Sequence, residues 1–390
     1  MGSKQSIRKY AACLAAFVLL AALTLLCGGC AEKTAYDYIE TAQGQLDAGN
    51  YDKAIDNFAY ALEMEPENQQ ALAGLADAYL GAGQPQNAAD VYIALGRWDD
   101  AAALYEQLNI TDKASELYLE DYLNTADTAS YDRYLQLTDY EISFEDAAVE
   151  AYVREYLGKP EGTINRNELN AVTDVRIYGK TWLFSTDATE SEEKTDLYDN
   201  YKGSKSAGAG SIRSLTDFRH FANMNFLLVY YNSVESIDPS LAECPRLRGL
   251  YVNYNYITDL SPLADFKYVT KLGLSGNGIG DLTALAELTQ LKLLYLQNNR
   301  ITDVTPLAGL TNLETLLLSR NSITDVTPLA GLTELRNLYL DNNSGITDAR
   351  VLKDLTKLEI LTLGRTGVRD YSFSIYMPNL DEGYLKRRTA

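Results

Sequence analysis

LRGLYVNYN (residues 247–255), VTKLGLSGN (269–277), LKLLYLQNN (291–299), LETLLLSRN (313–321) and LRNLYLDNN (335–343) share one form, L-x-x-L-x-L-x-x-N. Their last residues, Asn255, Asn277, Asn299, Asn321 and Asn343, are 22 positions apart. In L-x-L the alternate leucines point one way from a short strand, because strand side chains alternate between faces. The asparagine that ends each unit is suited to bonding backbone groups where the chain leaves the strand. Ile257, Ile279, Ile301, Ile323 and Ile346 re-enter the core. Asp259, Asp281, Asp303, Asp325 and Asp348 follow two residues later; they read as turn caps, with a calcium ladder as the competing account. Thr305-Pro306 and Thr327-Pro328 then open a short helical turn with proline at its first position. A unit of this kind buries its apolar side only against its neighbours, so the units must stack.

Offset units extend the array on both sides, ending at Asn232 (MNFLLVYYN) and at Thr366 (LEILTLGRT). Five units in strict register are leucine-rich-repeat periodicity, and the 22-residue form resembles the repeats of internalin-like bacterial surface proteins. FEDAAVEAYVREYLGKPEGTINRNELNAVTDVRIYG (144–179) resembles the helical cap that precedes such repeats. Tyr371 to Tyr384 are expected to close the other end. Between cap and regular repeats, residues 181–211 are polar, glycine-containing and aperiodic, and read as a loop excursion from an early repeat. KGSKSAGAG within it lacks the Gly-Lys-Ser/Thr spacing of a phosphate loop.

Upstream, GNYDKAIDNFAYALEMEPEN (49–68) sets Ala54, Phe58 and Ala61 on one helical face and closes with Pro66. It resembles a tetratricopeptide repeat, and Leu72, Ala76, Tyr79, Gly83 and Ala88 fit a second unit. Tyr79, Tyr92, Tyr105 and Tyr118 are then 13 residues apart, so smaller helices should continue the stack with those tyrosines in the core.

The amino terminus reads MGSKQSIRKYAACLAAFVLLAALTLLCGGC. A basic start precedes the uncharged run Ala11–Leu26, shorter than the roughly 20 residues of a spanning helix. That is the layout of a secretory signal, and it resembles a bacterial lipoprotein signal in which Cys30 would carry the lipid. The sequence departs from that pattern in having Cys27 where leucine is usual, and an uncleaved helix is the alternative anchor. No wall-sorting motif is seen at the carboxy terminus, so attachment is expected through the amino terminus.

The formal charge is −20, and removing Lys4, Arg8 and Lys9 with residues 1–29 takes it to about −23. Such a chain repels nucleic acid. Cys244 is the one cysteine outside the first 30 residues, so that part holds no internal disulfide, and it reads as a small buried hydrophobe. His220 is the only histidine. With no nucleophile elbow and no metal-ligand spacing, the sequence offers no catalytic set and implies no cofactor.

The expected architecture is an α + α/β solenoid, with tetratricopeptide-like helical hairpins followed by a leucine-rich-repeat parallel-β solenoid with a helical N-cap. Its divisions are a signal peptide (1–29), helical repeats (30–125), linker and cap (126–168) and the repeat domain (169–390). The expected function is a non-enzymatic, monomeric protein-binding module lipid-anchored on the outer face of the cell membrane. Glycan or peptidoglycan binding, or adhesin-like capture of a host protein, are the alternatives. The binding residues are expected on the concave face, where outward positions carry Leu228, Tyr230, Tyr251, Asn253, Tyr295, Gln297, Leu317, Tyr339 and Asp341, with Arg320 and Arg365 at the rim. Aromatic side chains on a rigid surface suit binding hot spots, although tyrosine also simply suits strands.

Overall fold

A computed structural model describes residues 33–186 and 210–381. The signal segment, Cys30, most of the 181–211 excursion and the end of the expected closing segment lie outside the described residues. The chain divides after Asp139 into two compact units.

The first unit is a run of antiparallel helices: α1 (Ala35–Asp47), α2 (Tyr51–Met64), α3 (Gln69–Gly81), α4 (Pro85–Ala94), α5 (Trp98–Gln107), α6 (Thr111–Thr125) and α7 (Thr128–Leu137). Local chemistry sets their starts. Thr34 and Asp37 form a capping box at α1, Asn68 accepts the Ala71 N–H at α3, and proline opens α4. Ala54, Phe58 and Ala61 are fully buried on one face of α2, as their spacing requires. Phe58 lies against Gly74 of α3, where a Cβ would stand 2.1 Å from its ring, so the glycine admits the aromatic ring between hairpins. Tyr92 and Tyr105 are buried and Tyr79 and Tyr118 pack on the same core. Helices α4 and α5 shorten to 10 residues each, in line with the 13-residue step. Helix α7, which falls in the span assigned above to linker and cap, packs through Leu137 on this first core.

The second unit holds α8 (Ala147–Leu157) and a nine-stranded sheet. Its strands are β1 (Asp174–Tyr178), β2 (Thr181–Ser185), β3 (Phe226–Tyr230), β4 (Gly249–Tyr251), β5 (Lys271–Gly273), β6 (Leu293–Tyr295), β7 (Thr315–Leu317), β8 (Asn337–Tyr339) and β9 (Ile360–Thr362). Their order is β2-β1-β3-β4-β5-β6-β7-β8-β9, and all neighbours are parallel except β1 and β2. The register is one repeat per step, so Leu250, Leu272, Leu294, Leu316 and Leu338 stack in one inward column. Val149 and Val153 of α8 enter the same core. Phe373 and Met377 enter it at the far end.

Residues 181–185 depart from the loop reading. They form the antiparallel edge strand β2, joined to β1 through the two-residue turn Gly179-Lys180. Gly179 takes φ +60, the left-handed conformation such tight hairpins need. Trp182 and Phe184 then pack on Tyr152 and Tyr156 of α8. Two carboxylate interactions tie α8 to the first repeat: the buried Asp217 accepts the N–H groups of Glu145 (2.9 Å) and Asp146 (2.7 Å), and Asp146 accepts that of Arg213 (3.1 Å) at the surface. Burial raises the Asp217 pKa, repulsion from Glu145 and Asp146 adds to this, and the two N–H bonds oppose it.

Candidate protein-binding face

The asparagines fix the frame. Asn255 Nδ2 donates to the carbonyls of Val229 (2.8 Å) in the preceding repeat and Val252 (3.2 Å) in its own, while Oδ1 accepts the Val234 N–H (3.2 Å). Asn277, Asn299, Asn321 and Asn343 repeat the pattern at 2.8–3.1 Å. Each satisfies three backbone groups at a turn that would otherwise bury them unpaired. The aspartates cap turns: Asp259, Asp281, Asp303 and Asp325 each accept the N–H two residues on at 2.8 Å, as Asp348 does at 2.9 Å. Side-chain hydrogen bonds from Thr283, Thr305, Thr327 and Arg350, with these N–H bonds second, hold the carboxyl pKa values of Asp281, Asp303, Asp325 and Asp348 below the ordinary range, and at Asp259 the Ser261 N–H does so with the Ser261 hydroxyl second.

The carboxy-terminal unit is a leucine-rich-repeat solenoid. Its fold resembles that of the internalins, as the repeat register implied. The leucine-rich-repeat family matches residues 289–344, and the tetratricopeptide-repeat family matches residues 45–91. Internalin C2 of Listeria monocytogenes is similar with a TM-score of 0.50 and 26% identity, over 61% of this chain and 92% of that one. A second internalin of that organism has a TM-score of 0.39 and 25% identity, over 61% and 81% of the two chains. No curated protein matches by sequence. Repeats of both kinds are typically non-catalytic modules for protein–protein interaction.

On the outward face of the sheet the expected exposed column is only partly exposed. Leu228, Tyr230, Tyr251, Asn253, Leu317 and Asp341 are buried, which corrects their reading as presented contacts. The cause lies in the neighbouring strands. Phe226 pairs with Gly249, and Tyr251 with Gly273. A Cβ at Gly249 would stand 2.3 Å from Phe226 Cδ1, and one at Gly273 2.4 Å from Tyr251 Cδ1. The aromatic rings therefore lie down over glycine instead of projecting, a cross-strand rescue of glycine positions. Tyr230 meets Tyr178 edge-on at 5.2 Å, and Tyr251 lies 6.2 Å from Tyr295, completing a second small apolar cluster on this face. Burial pushes the Tyr230 and Tyr251 hydroxyl pKa values up.

Asp341 is likewise turned to structure. It accepts from the Thr362 hydroxyl (2.5 Å), the Gly364 N–H (3.0 Å) and the Ser319 hydroxyl (3.2 Å), so it spans three strands. Asn253 accepts the Ser275 N–H at 2.6 Å. What remains accessible is a patch toward β6–β9: Tyr295, Gln297 and Tyr339 are partly exposed, and Arg320 and Arg365 are exposed.

The two rims of the sheet differ. On the strand-start side, charges pair across repeats: Lys292–Glu314 (3.5 Å), Arg336–Glu359 (2.7 Å) and Lys357–Glu334 (2.6 Å). On the other side, Tyr231, Tyr254, Asn298, Arg320, Asn342 and Arg365 all take left-handed φ between 55 and 60. Tyr231 and Tyr254 stack at 4.8 Å and 11° there. Arg365 reaches Asn342 at 3.4 Å, whereas Arg320 has no carboxylate partner among the described residues. Non-glycine residues in that conformation are strained by roughly 1 kcal/mol each; the repeat turn imposes it, and it fixes where the arginines stand.

Cys244 is buried in the core, with its thiol pKa pushed up to about 12 by burial. His220 is also buried. Its Nδ1 is 2.7 Å from the Tyr140 hydroxyl, and burial, helped by Arg219 and Arg166, lowers its pKa to about 4. Neither lies on the outward face. Among the described residues no helix is long and apolar enough to cross a membrane, and no cluster of metal-ligating side chains is found.

Proposed function

We propose that this chain is a non-catalytic, membrane-anchored binding protein that takes a protein partner on the outward face of β6–β9. Tyr295 and Tyr339 are the aromatic anchors, Gln297 a polar contact, and Arg320 and Arg365 the cationic rim. The observation that carries this is the pairing of partly exposed tyrosines on alternate strands of a hydrogen-bonded sheet with the exposed Arg320 beside them. Tyrosine offers large contact area at small entropic cost, and arginine is enriched with it in hot spots. In so acidic a chain, cationic side chains on one rim favour a partner segment carrying carboxylates. The buried Leu228, Tyr230, Tyr251, Asn253, Leu317 and Asp341 act beneath the contact surface, holding it flat.

The partner is placed at the cell membrane because the amino terminus reads as a lipoprotein signal with Cys30 as the acylated residue. More than one lipid chain on such a residue suffices for stable anchoring. A photo-crosslinking residue at position 295 or 339 is expected to yield one protease-sensitive adduct on intact cells, lost in Arg320→Ala. A crosslinker at Tyr256, exposed elsewhere on the unit, should give none. An adduct sensitive to muramidase but not protease would overturn the protein reading in favour of a wall glycan. Mass analysis of the amino-terminal peptide should find diacylglyceryl-Cys30, and an intact Met1 would contradict lipid anchoring.

A further inference from the structure

Among the described residues of the first unit, the three most exposed large apolar side chains are Tyr36 (68%), Met64 (52%) and Tyr60 (44%). All three stand at one end of the α1–α2 hairpin. The helices run antiparallel, so the first turn of α1 meets the last turns of α2, and the Tyr38 and Tyr60 rings lie 5.6 Å apart there. Met64 follows Tyr60 by four residues and shares its flank. Tyr36 lies in the first turn of α1, where side chains tilt toward the helix N-terminus and away from the body of the hairpin. Lys33, the first residue described, stands over the Tyr38 ring at 5.2 Å. The chain therefore enters the fold at this same end.

Single exposed apolar residues are ordinary, but three gathered where the chain enters form a patch. The packing of the hairpin does not use them: its buried face is Ala35, Ile39, Ala54, Phe58 and Ala61. Cys30 precedes Lys33 by three residues. Three extended residues reach at most about 11 Å, so a lipid on Cys30 holds this end of the hairpin within that distance of the headgroup layer. Tyrosine suits such a place, because its ring is apolar and its tip is wet. Charge sets the kind of headgroup. Glu63, Glu65 and Glu67 are exposed beside Met64, so the pull of an anionic surface on basic side chains does not drive the contact. We propose that this end of the α1–α2 hairpin is a membrane-facing surface. Tyr36, Tyr60 and Met64 sit in the headgroup layer of the bilayer that holds Cys30, among neutral headgroups. This rests on the lipid-anchored reading above and adds a second point of attachment to it, one that keeps the first unit from swinging on its tether.

The test uses the full chain extracted from cell membranes, with Met64→Cys carrying an environment-sensitive thiol dye. Cys244 is buried and Cys30 is acylated, so the dye goes to position 64 alone. The chain is reconstituted in phosphatidylcholine vesicles that contain a spin-labelled lipid as quencher. A dye on Ala48→Cys, exposed at the far end of the hairpin, is the control. Quenching at position 64 is expected to exceed that at position 48 at least about threefold. It should survive raised salt and should not grow when anionic lipid replaces part of the phosphatidylcholine. Tyr36→Ser/Tyr60→Ser should bring quenching at position 64 down to that at position 48 while the chain stays folded by circular dichroism, both side chains being exposed. Equal quenching at the two positions, quenching that needs anionic lipid or is lost in salt, or unchanged quenching in the double variant would each overturn the proposal. Mass analysis of the amino-terminal peptide keeps two failures apart. An acylated chain with no preference for position 64 sinks this surface alone, and a chain without acyl-Cys30 sinks the anchored reading and this surface with it.

Discussion

Replacing Asn255 by alanine removes three hydrogen bonds at once and leaves the Val229 and Val252 carbonyls and the Val234 N–H without a partner in a buried turn. Each stranded backbone group costs about 1–3 kcal/mol, and some relief by entering water is expected, so the whole loss should be about 3–6 kcal/mol. The two tryptophans fall one to each unit, Trp98 and Trp182. With Trp98→Phe as background, Trp182 reports the second unit, since it lies 5.7 Å from Tyr152 of α8 and 4.9 Å from Phe184 of β2. The urea midpoint of that signal should fall by about 1–2 M. Asn298→Ala is the companion. That residue is exposed at φ 58, and losing its tolerance of the left-handed conformation should cost only about 1 kcal/mol. If the two variants shift the midpoint equally, the asparagine ladder does not hold the repeats together as argued.

Other outcomes follow from the same contacts. Gly273→Val should displace Tyr251 from its bed against Gly273 and lower stability by about 1–3 kcal/mol, seen as a drop in Tm. His220 bears on pH dependence. Its folded pKa of about 4 lies below the ordinary histidine value of 6.5, so the unfolded state binds the extra proton as pH falls between those values. Stability from this group is full above pH 6.5 and falls by about 3 kcal/mol on going to pH 4. Asp217, with its raised pKa, acts with the opposite sign, so the difference between wild type and His220→Phe isolates the histidine; parallel stability–pH curves would contradict the assignment. Asp341→Ala should free the Thr362 and Ser319 hydroxyls and the Gly364 N–H and destabilise the last repeats by about 2–4 kcal/mol, read by faster amide exchange at Gly364.

Much of the frame was legible because a 22-residue period repeats the same physical demand in each unit. The inward leucines, the ladder asparagines and the capping aspartates all occupy the places their spacing implies. The outward face was harder to read, and the reason is specific. Whether Tyr251 projects depends on what stands one repeat later, and Gly273 lets it lie flat. Tyr339 has Leu317 and Thr362 beside it and stays partly exposed. Reading Phe226/Gly249 and Tyr251/Gly273 across repeats, rather than along each one, carries that signal. The β2 hairpin was hidden because the polar stretch after it dominates residues 181–211, although Gly179-Lys180 and the aromatic TWLFS mark it. The role of Asp341 depends on Ser319 and Thr362 in neighbouring repeats, a pairing that only the register reveals.

The central claim is that the patch carrying Tyr295 and Tyr339 binds a protein. Its most direct test is the affinity of the crosslinked partner, once purified, for wild type and for the Tyr295→Ala/Tyr339→Ala double variant, with Tm measured on both. The account predicts binding weakened at least about tenfold by a variant that stays folded, with Tm lowered only by the loss of Tyr295 from the cluster around Tyr251. Unchanged affinity in the double variant would contradict it.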